Sequence, residues 1–139
     1  MIRLAVASYP NEVGTPLVGH YSKDGAIAYI TTLAPLPPDS SGTRSSFIRG
    51  VVGLREYFGQ LGRRFRGNRY RIGEWHSHPN ASPHPSGTDD QNQSDLARDE
   101  REALSEAILV ILGGSAAETP NLGVFVYSRH RGRIELRPA

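Results

Sequence analysis

The residues best suited to chemistry sit in one short segment, Glu74-Trp-His-Ser-His-Pro-Asn-Ala-Ser-Pro-His-Pro-Ser-Gly-Thr-Asp89. His76 and His78 are two apart at the end of an expected strand, so strand alternation projects both imidazoles from one face. A proline-rich turn then reverses the chain, and Asp89 can return from the start of the next helix as an oxygen ligand. Two ring nitrogens and one carboxylate leave the fourth tetrahedral position to water, the open arrangement of catalytic zinc. Zinc brings the pKa of such a water towards ~7, which makes hydroxide available at neutral pH.

Each part of this pattern also has a plainer meaning. Ser86-x-x-Asp89 ahead of a helix is a capping-box pattern, with Ser86 or Thr88 as N-cap. A cap and a ligand are compatible, because capping would fix Asp89 rigidly. An isolated His-x-His on a strand is more often ordinary polar packing than a ligand pair, and it is the combination that points to a metal. His84, inside the turn, is either a substitute ligand or an exposed loop histidine. His20 and His130 have no motif context.

Taken together, His76-Ser77-His78, seven residues and Ser86-x-x-Asp89 resemble the signature of the JAMM (MPN+) zinc metalloproteases, His-Ser/Thr-His followed at that interval by Ser-x-x-Asp. The segment from Asn11 to His20 is similar to the family's Glu-Thr-Gly-Gly-Ile-Leu-Leu-Gly, although Thr15-Pro16 stands where the family usually has glycine. With the Pro/Ser loop, the helix after it and Gly-Glu-Trp-His, the likeness runs from about Glu12 to Leu112. It is greatest to bacterial stand-alone JAB-domain proteins found beside E1/E2-like and ubiquitin-like genes, including antiphage operons.

The resemblance implies residue roles and a function. His76, His78 and Asp89 would hold Zn2+, Glu12 would be the general base, and Ser86 would hydrogen-bond the tetrahedral oxyanion. One carboxylate can serve both proton transfers of amide hydrolysis, from water and then to the leaving amine. Ser77 would point to the opposite face and be structural. Glu74 shares a strand face with His76 and is the rival base, ranked second. The expected activity is that of a zinc metallo-isopeptidase or peptidase cutting after the C-terminal tail of a ubiquitin-like protein, with that protein or its conjugate, and E1/E2-like proteins, as partners.

Composition narrows the alternatives. With 139 residues the chain is expected to form one domain, residues 1–139. Sixteen basic and fourteen acidic side chains give a formal charge of +2, no whole-protein argument for nucleic acid or an anionic membrane. The chain has no cysteine, which removes disulfide frameworks, thiolate metal sites and cysteine nucleophiles. The N-terminal apolar run is too short for a signal peptide, and no stretch approaches the roughly 20 apolar residues of a membrane span. A cytoplasmic location is expected.

These side chains need elements to position them. Ile2–Ser8 reads as a strand or the last turns of a helix. Leu17–Tyr21 and Ala26–Leu33 flank Ser-Lys-Asp-Gly as a hairpin. Pro35–Ser46 is a Pro/Ser/Gly loop, a candidate flap near the cleft. Phe47, Val51, Leu54, Phe58, Leu61 and Phe65 recur at three and four residues and predict a helix from Phe47. Tyr70–Ser77 is the strand feeding the turn, Asp89–Glu106 a solvent-facing helix, Ala107–Leu112 a central strand, and Gly123–Ser128 with Arg133–Leu136 a closing hairpin. The sum is an α/β sandwich with a mixed sheet, and the resemblance implies the single-domain MPN (JAB) fold, a mixed β-sheet flanked by helices.

Two other functions remain open. One is a non-catalytic MPN-type interaction module that keeps its ligands by descent. The other is a RadC-like, nucleic-acid-associated protein, a group that typically carries His-Asn-His-Pro where Ser77 stands here. The basic run Arg63, Arg64, Arg66, Arg69 and Arg71 reads first as solvated surface, then as an acidic-partner face, and last as an RNA contact.

Overall fold

A computed structural model describes residues 1–99, 106–115 and 120–137. Its centre is a six-stranded mixed sheet. In chain order the main elements are α1 (Ile2–Ser8), β1 (Gly14–Tyr21), β2 (Ala28–Leu33), a small hairpin of β3 (Ser41–Gly42) and β4 (Phe47–Ile48), α2 (Leu54–Arg64), β5 (Tyr70–Pro79), α3 (Gly87–Arg98), β6 (Glu106–Gly114), β7 (Asn121–Ser128) and β8 (Gly132–Leu136). The strand order is β2-β1-β5-β6-β7-β8. Only β5 and β6 run parallel, as expected of two strands joined by a helical crossover through α3.

β6, Glu-Ala-Ile-Leu-Val-Ile-Leu-Gly-Gly, is apolar on both faces because both are covered. Ile108 and Val110 pack with Val13, Leu17, Ile72 and Trp75, against which Met1, Leu4 and Ala5 of α1 rest. Ala107, Leu109 and Ile111 pack with Phe125, Tyr127 and Ala97 of α3. A third cluster seats α2 through Leu54 and Leu61 on Val18 and Ala34. Helices therefore lie on both faces, and α3 lies over the face from which its own strand, β5, presents the histidines.

One open expectation is decided and two change. Ile2–Ser8, open between strand and helix, is helical. The helix expected from Phe47 begins only at Leu54. The Asp39 carboxylate accepts from the backbone N–H groups of Val51 and Val52 at 2.9 and 3.0 Å, and Gly53 takes a left-handed φ of 82°. Those contacts hold the preceding segment in a turn, and Phe47–Ile48 pairs with Ser41–Gly42 instead. The apolar periodicity thus runs across a strand, a turn and a helix, and of its six residues only Leu54 and Leu61 are fully buried while Val51 and Phe65 are exposed. The helix expected over Asp89–Glu106 starts earlier, at Gly87, and ends at Arg98, while Glu106 opens β6. Residues 100–105 of that expectation lie outside the described residues. Among the described residues, no helix is long and apolar enough to cross a membrane.

Candidate metal centre

β5 carries the site on alternating faces. Trp75 and Ser77 turn towards α1, where Trp75 joins the core and Ser77 borders a small cavity with Ile2, Ala5 and Tyr9. Glu74, His76 and His78 turn to the α3 side. The His76 and His78 Nε2 atoms lie 2.9 Å apart, and Asp89 comes to 3.4 Å from the first and 3.5 Å from the second. Bonds of about 2.0–2.1 Å to a tetrahedral ion would set such donors about 3.3 Å apart. The three residues present therefore fit a zinc-sized cation in spacing and in donor chemistry. Among the described residues they form a group of this kind, and His84 is not in it. His84 is exposed, with its ring 6.3 Å from that of Phe125.

The surroundings orient the donors. The Ser82 carbonyl lies 3.2 Å from His78 Nδ1. A proton on Nδ1 satisfies that carbonyl and leaves the Nε2 lone pair for the site, the usual arrangement behind a ligating histidine. The Asp89 carboxylate hydrogen-bonds back to Ser86, accepting from its N–H at 2.8 Å and from its hydroxyl at 2.6 Å. The Ser86 hydroxyl oxygen in turn accepts from the Asp89 N–H at 3.2 Å. This is a complete capping box on α3, so the plainer reading of Ser86 holds and fixes Asp89 as well. Burial alone would push the Asp89 carboxyl up, but hydrogen bonds from His76, His78 and Ser86 carry it far below the usual carboxylate range. The same Asp89 contact, first among its causes, raises His78.

The turn that swings Asp89 back is seated on two glycines. A Cβ on Gly113 would stand 2.7 Å from the Ala81 carbonyl oxygen, and one on Gly123 would stand 2.0 Å from that of Pro83. Asn80, at a φ of 59°, and Gly114 complete the seat through backbone bonds of 2.9 Å (Asn80 N–H to Gly114 O, Gly114 N–H to Ala81 O). None of these glycines is marked in the sequence as anything but a strand end.

Glu12 stands between α1 and β1, only 9% exposed. Its N–H donates to the Thr43 carbonyl at 2.7 Å, and Gly42 lies so close to the Glu12 carbonyl that a Cβ would be 2.0 Å away. The far end of the Pro35–Ser46 segment is therefore bound to Glu12 backbone rather than standing apart as a flap. On the other side, the Val13 N–H donates to Ser77 Oγ at 3.1 Å and the Ser77 N–H to the Val13 carbonyl at 2.9 Å. Ser77 faces away from the histidines, as expected, and ties down the residue beside Glu12. Burial raises the Glu12 carboxyl above its ordinary range, opposed by the nearby His78 and His76.

Thr15 and Pro16 keep this strand in place. The Trp75 indole donates to Thr15 Oγ1 at 2.8 Å, deep in the core, and the Pro16 carbonyl accepts from Ala34 at 2.9 Å. Glu74 lies on the site side but is ion-paired with Arg49 at 2.8 Å and with Arg71. The basic run is thus divided. Arg71 turns inward to Glu74, Arg64 and Arg69 lie over the Phe65 ring, and Arg69 also meets His20 Nδ1 at 2.8 Å. A cleft of about 420 Å³ leads away from His76 and Asp89, walled by Glu74, Phe47, Ile48 and Gln93 among others.

A mixed sheet with a His-His-Asp cluster at the β5–α3 junction defines a JAB-type domain, and the chain belongs to the family of prokaryotic homologs of the JAB domain, which matches residues 1–126. It is 39% identical over 127 residues to the CD-NTase/cGAS isopeptidase of Enterobacter hormaechei subsp. hoffmannii, covering 91% of this chain and 69% of that protein. Two structures solved in solution share the fold. A protein of Desulfitobacterium hafniense superposes with a TM-score of 0.63 at 24% identity, covering 98% of this chain and 82% of that one. A protein of Salinibacter ruber gives 0.58 at 17%, with 98% and 81% covered.

Proposed function

We propose that the chain is a zinc-dependent isopeptidase that hydrolyses the amide between the C-terminus of one protein and a lysine side chain of another. The observation that carries this reading is the convergence of His76, His78 and Asp89 at donor spacings of 2.9–3.5 Å beside a cleft. The isopeptidase name of the Enterobacter relative supports the bond type. His76, His78 and Asp89 would hold the zinc, which would supply Lewis-acid polarisation of the scissile carbonyl and a lowered pKa for water.

Glu12 takes the proton from the attacking water and passes it to the departing lysine amine, so that water adds across the C–N bond and no further reactant is needed. Burial favours this role, because a carboxyl raised above its ordinary range is a better proton acceptor. Glu74, the rival, is engaged by two guanidinium groups. Ser86 donates its hydroxyl to Asp89 in this structure, and it serves the oxyanion by turning that hydroxyl towards the carbonyl during reaction.

The protein released by its C-terminal tail belongs to one of two classes. The sequence resemblance favours a ubiquitin-like protein, and the relative's name favours a CD-NTase. Either would present its C-terminal tail to the same cleft in extended form. The test is cleavage of lysine-linked conjugates of each class by wild type and Glu12→Gln in parallel, with and without chelator. Chelator-sensitive cutting by wild type alone is expected. Cutting that survives chelation sinks the zinc assignment, and zinc-loaded wild type that cuts neither class supports the interaction-module reading instead.

A further inference from the structure

Gln93 stands out on α3. Most polar side chains of this helix are at least partly solvated, and Gln91 satisfies itself on Asp95 at 2.9 Å. Gln93 is only 6% exposed, and its Oε1 is sealed from solvent with no hydrogen-bond partner among the described residues. It lies one helical turn beyond Asp89 and lines the same cleft, on a stripe with Asn92, Leu96 and Asp99. A buried carbonyl oxygen left unpaired is costly, and native proteins seldom keep one without a use. An apolar side chain of the same length would suit the spot better in the free protein.

We propose that Gln93 is a substrate-binding residue whose carboxamide oxygen accepts a peptide N–H of the conjugate, within one residue of the scissile carbonyl. The proposal rests on the isopeptidase reading above and adds a specific acceptor to its cleft. Position supports the assignment. Asp89 and Gln93 line the same cleft one helical turn apart, roughly 6 Å along the axis, so a peptide whose scissile carbonyl lay beside Asp89 would pass an adjoining peptide group along Gln93. The terminal torsion of glutamine is soft, so a small rotation turns Oε1 from its sealed position to an incoming donor. The unpaired state in the free protein then becomes a paired state in the complex. Recognition of this kind discriminates strongly against a ligand that lacks the donor, because the acceptor is again left bare.

The test compares zinc-loaded wild type with Gln93→Met, which keeps length and helix propensity and removes the acceptor. The readouts are thermal melting, zinc content and kcat/KM on whichever lysine-linked conjugate wild type cleaves. The expected result is an unchanged zinc content, a melting temperature higher by about 3–6 °C and a kcat/KM lower by roughly 3–10-fold. A second arm uses an isopeptide substrate N-methylated at the peptide nitrogens flanking the scissile carbonyl. Wild type should lose activity on it, and Gln93→Met should discriminate far less between the two substrates. A lower melting temperature for Gln93→Met, or equal discrimination by both proteins, overturns the proposal and returns Gln93 to a purely structural role. Failure of wild type to cut any conjugate overturns the parent reading, and this one with it.

Discussion

Gly14 and His76 face each other across the β1–β5 ladder with no room for a side chain between them. A Cβ on Gly14 would lie 2.2 Å from the Trp75 carbonyl oxygen and 2.8 Å from the His76 Cβ. This close approach brings the strand that follows Glu12 against the strand that carries the histidines. The glycine is therefore part of the geometry that joins Glu12 to the His76-His78-Asp89 cluster.

Gly14→Ala should force β1 away from β5 and cost about 1–3 kcal/mol, the usual penalty for overfilling a packed site. A denaturant melt reads the stability, and an isothermal zinc titration should show weaker binding as His76 shifts. A variant with native stability and native zinc affinity would mean that the ladder yields more easily than its packing implies.

Glu12→Gln should keep the fold and the zinc while slowing cleavage by ~10²–10⁴, the ordinary worth of a general base. Single-turnover rates on a conjugate, alongside metal analysis of the same sample, provide the check. Undiminished turnover would transfer the role to another group, Glu74 first.

Ser86→Ala separates two jobs held by one hydroxyl. Loss of the cap on α3 should lower stability by about 1 kcal/mol, and loss of an oxyanion donor should reduce kcat by ~10²–10³. Both losses are expected. A stability loss with normal kcat would leave Ser86 as a cap and a support for Asp89 only.

Zinc at about a hundred times its dissociation constant should stabilise the protein by about 2.7 kcal/mol, a rise of about 10 °C in melting temperature for a chain of this size. Asp89→Asn should remove most of that rise. An equal rise in the variant would place the ion somewhere other than between His76, His78 and Asp89.

Asp90→Ala probes the outer anchor of α3. Asp90 accepts from the Tyr127 hydroxyl and takes both carboxylate contacts from Arg133, at 2.7 and 2.8 Å. The Arg133 pair is well exposed and contributes little in water, so the cost should come from the buried Tyr127 side chain, whose hydroxyl would lose its acceptor, about 1–3 kcal/mol. Tyr127→Phe introduced together with Asp90→Ala should recover most of it, which a double-mutant cycle in denaturant would measure.

The sequence alone determined that His76, His78 and Asp89 could come together, because they are joined by a short segment whose strand alternation and turn chemistry are local matters. It determined the core strand β6 for the same reason, since a run apolar on both faces has few other homes. Spacing also marked a capping box at Ser86-x-x-Asp89, with Ser86 or Thr88 as the cap, and the structure settled on Ser86. What the sequence could not determine depends on contacts between distant segments. The helix read from Phe47 failed because a carboxylate at Asp39 and a left-handed Gly53 hold the chain in a turn, and neither affects the apolar period.

Only the tertiary structure decided how Glu12 and its neighbour Val13 are held, by Thr43 and Ser77 respectively, two residues far from them in the chain. Only packing decided what the glycines around the site do, since at Gly14, Gly42, Gly113 and Gly123 a Cβ would strike neighbouring backbone. Gln93 belongs with these. Its type is unremarkable on a polar helix, and its unpaired oxygen arises only when α3 folds down over the sheet. Spacing fixes which groups can share a site when the chain between them is short; when it is long, close approach of backbones settles the matter, and that depends on the whole core being assembled.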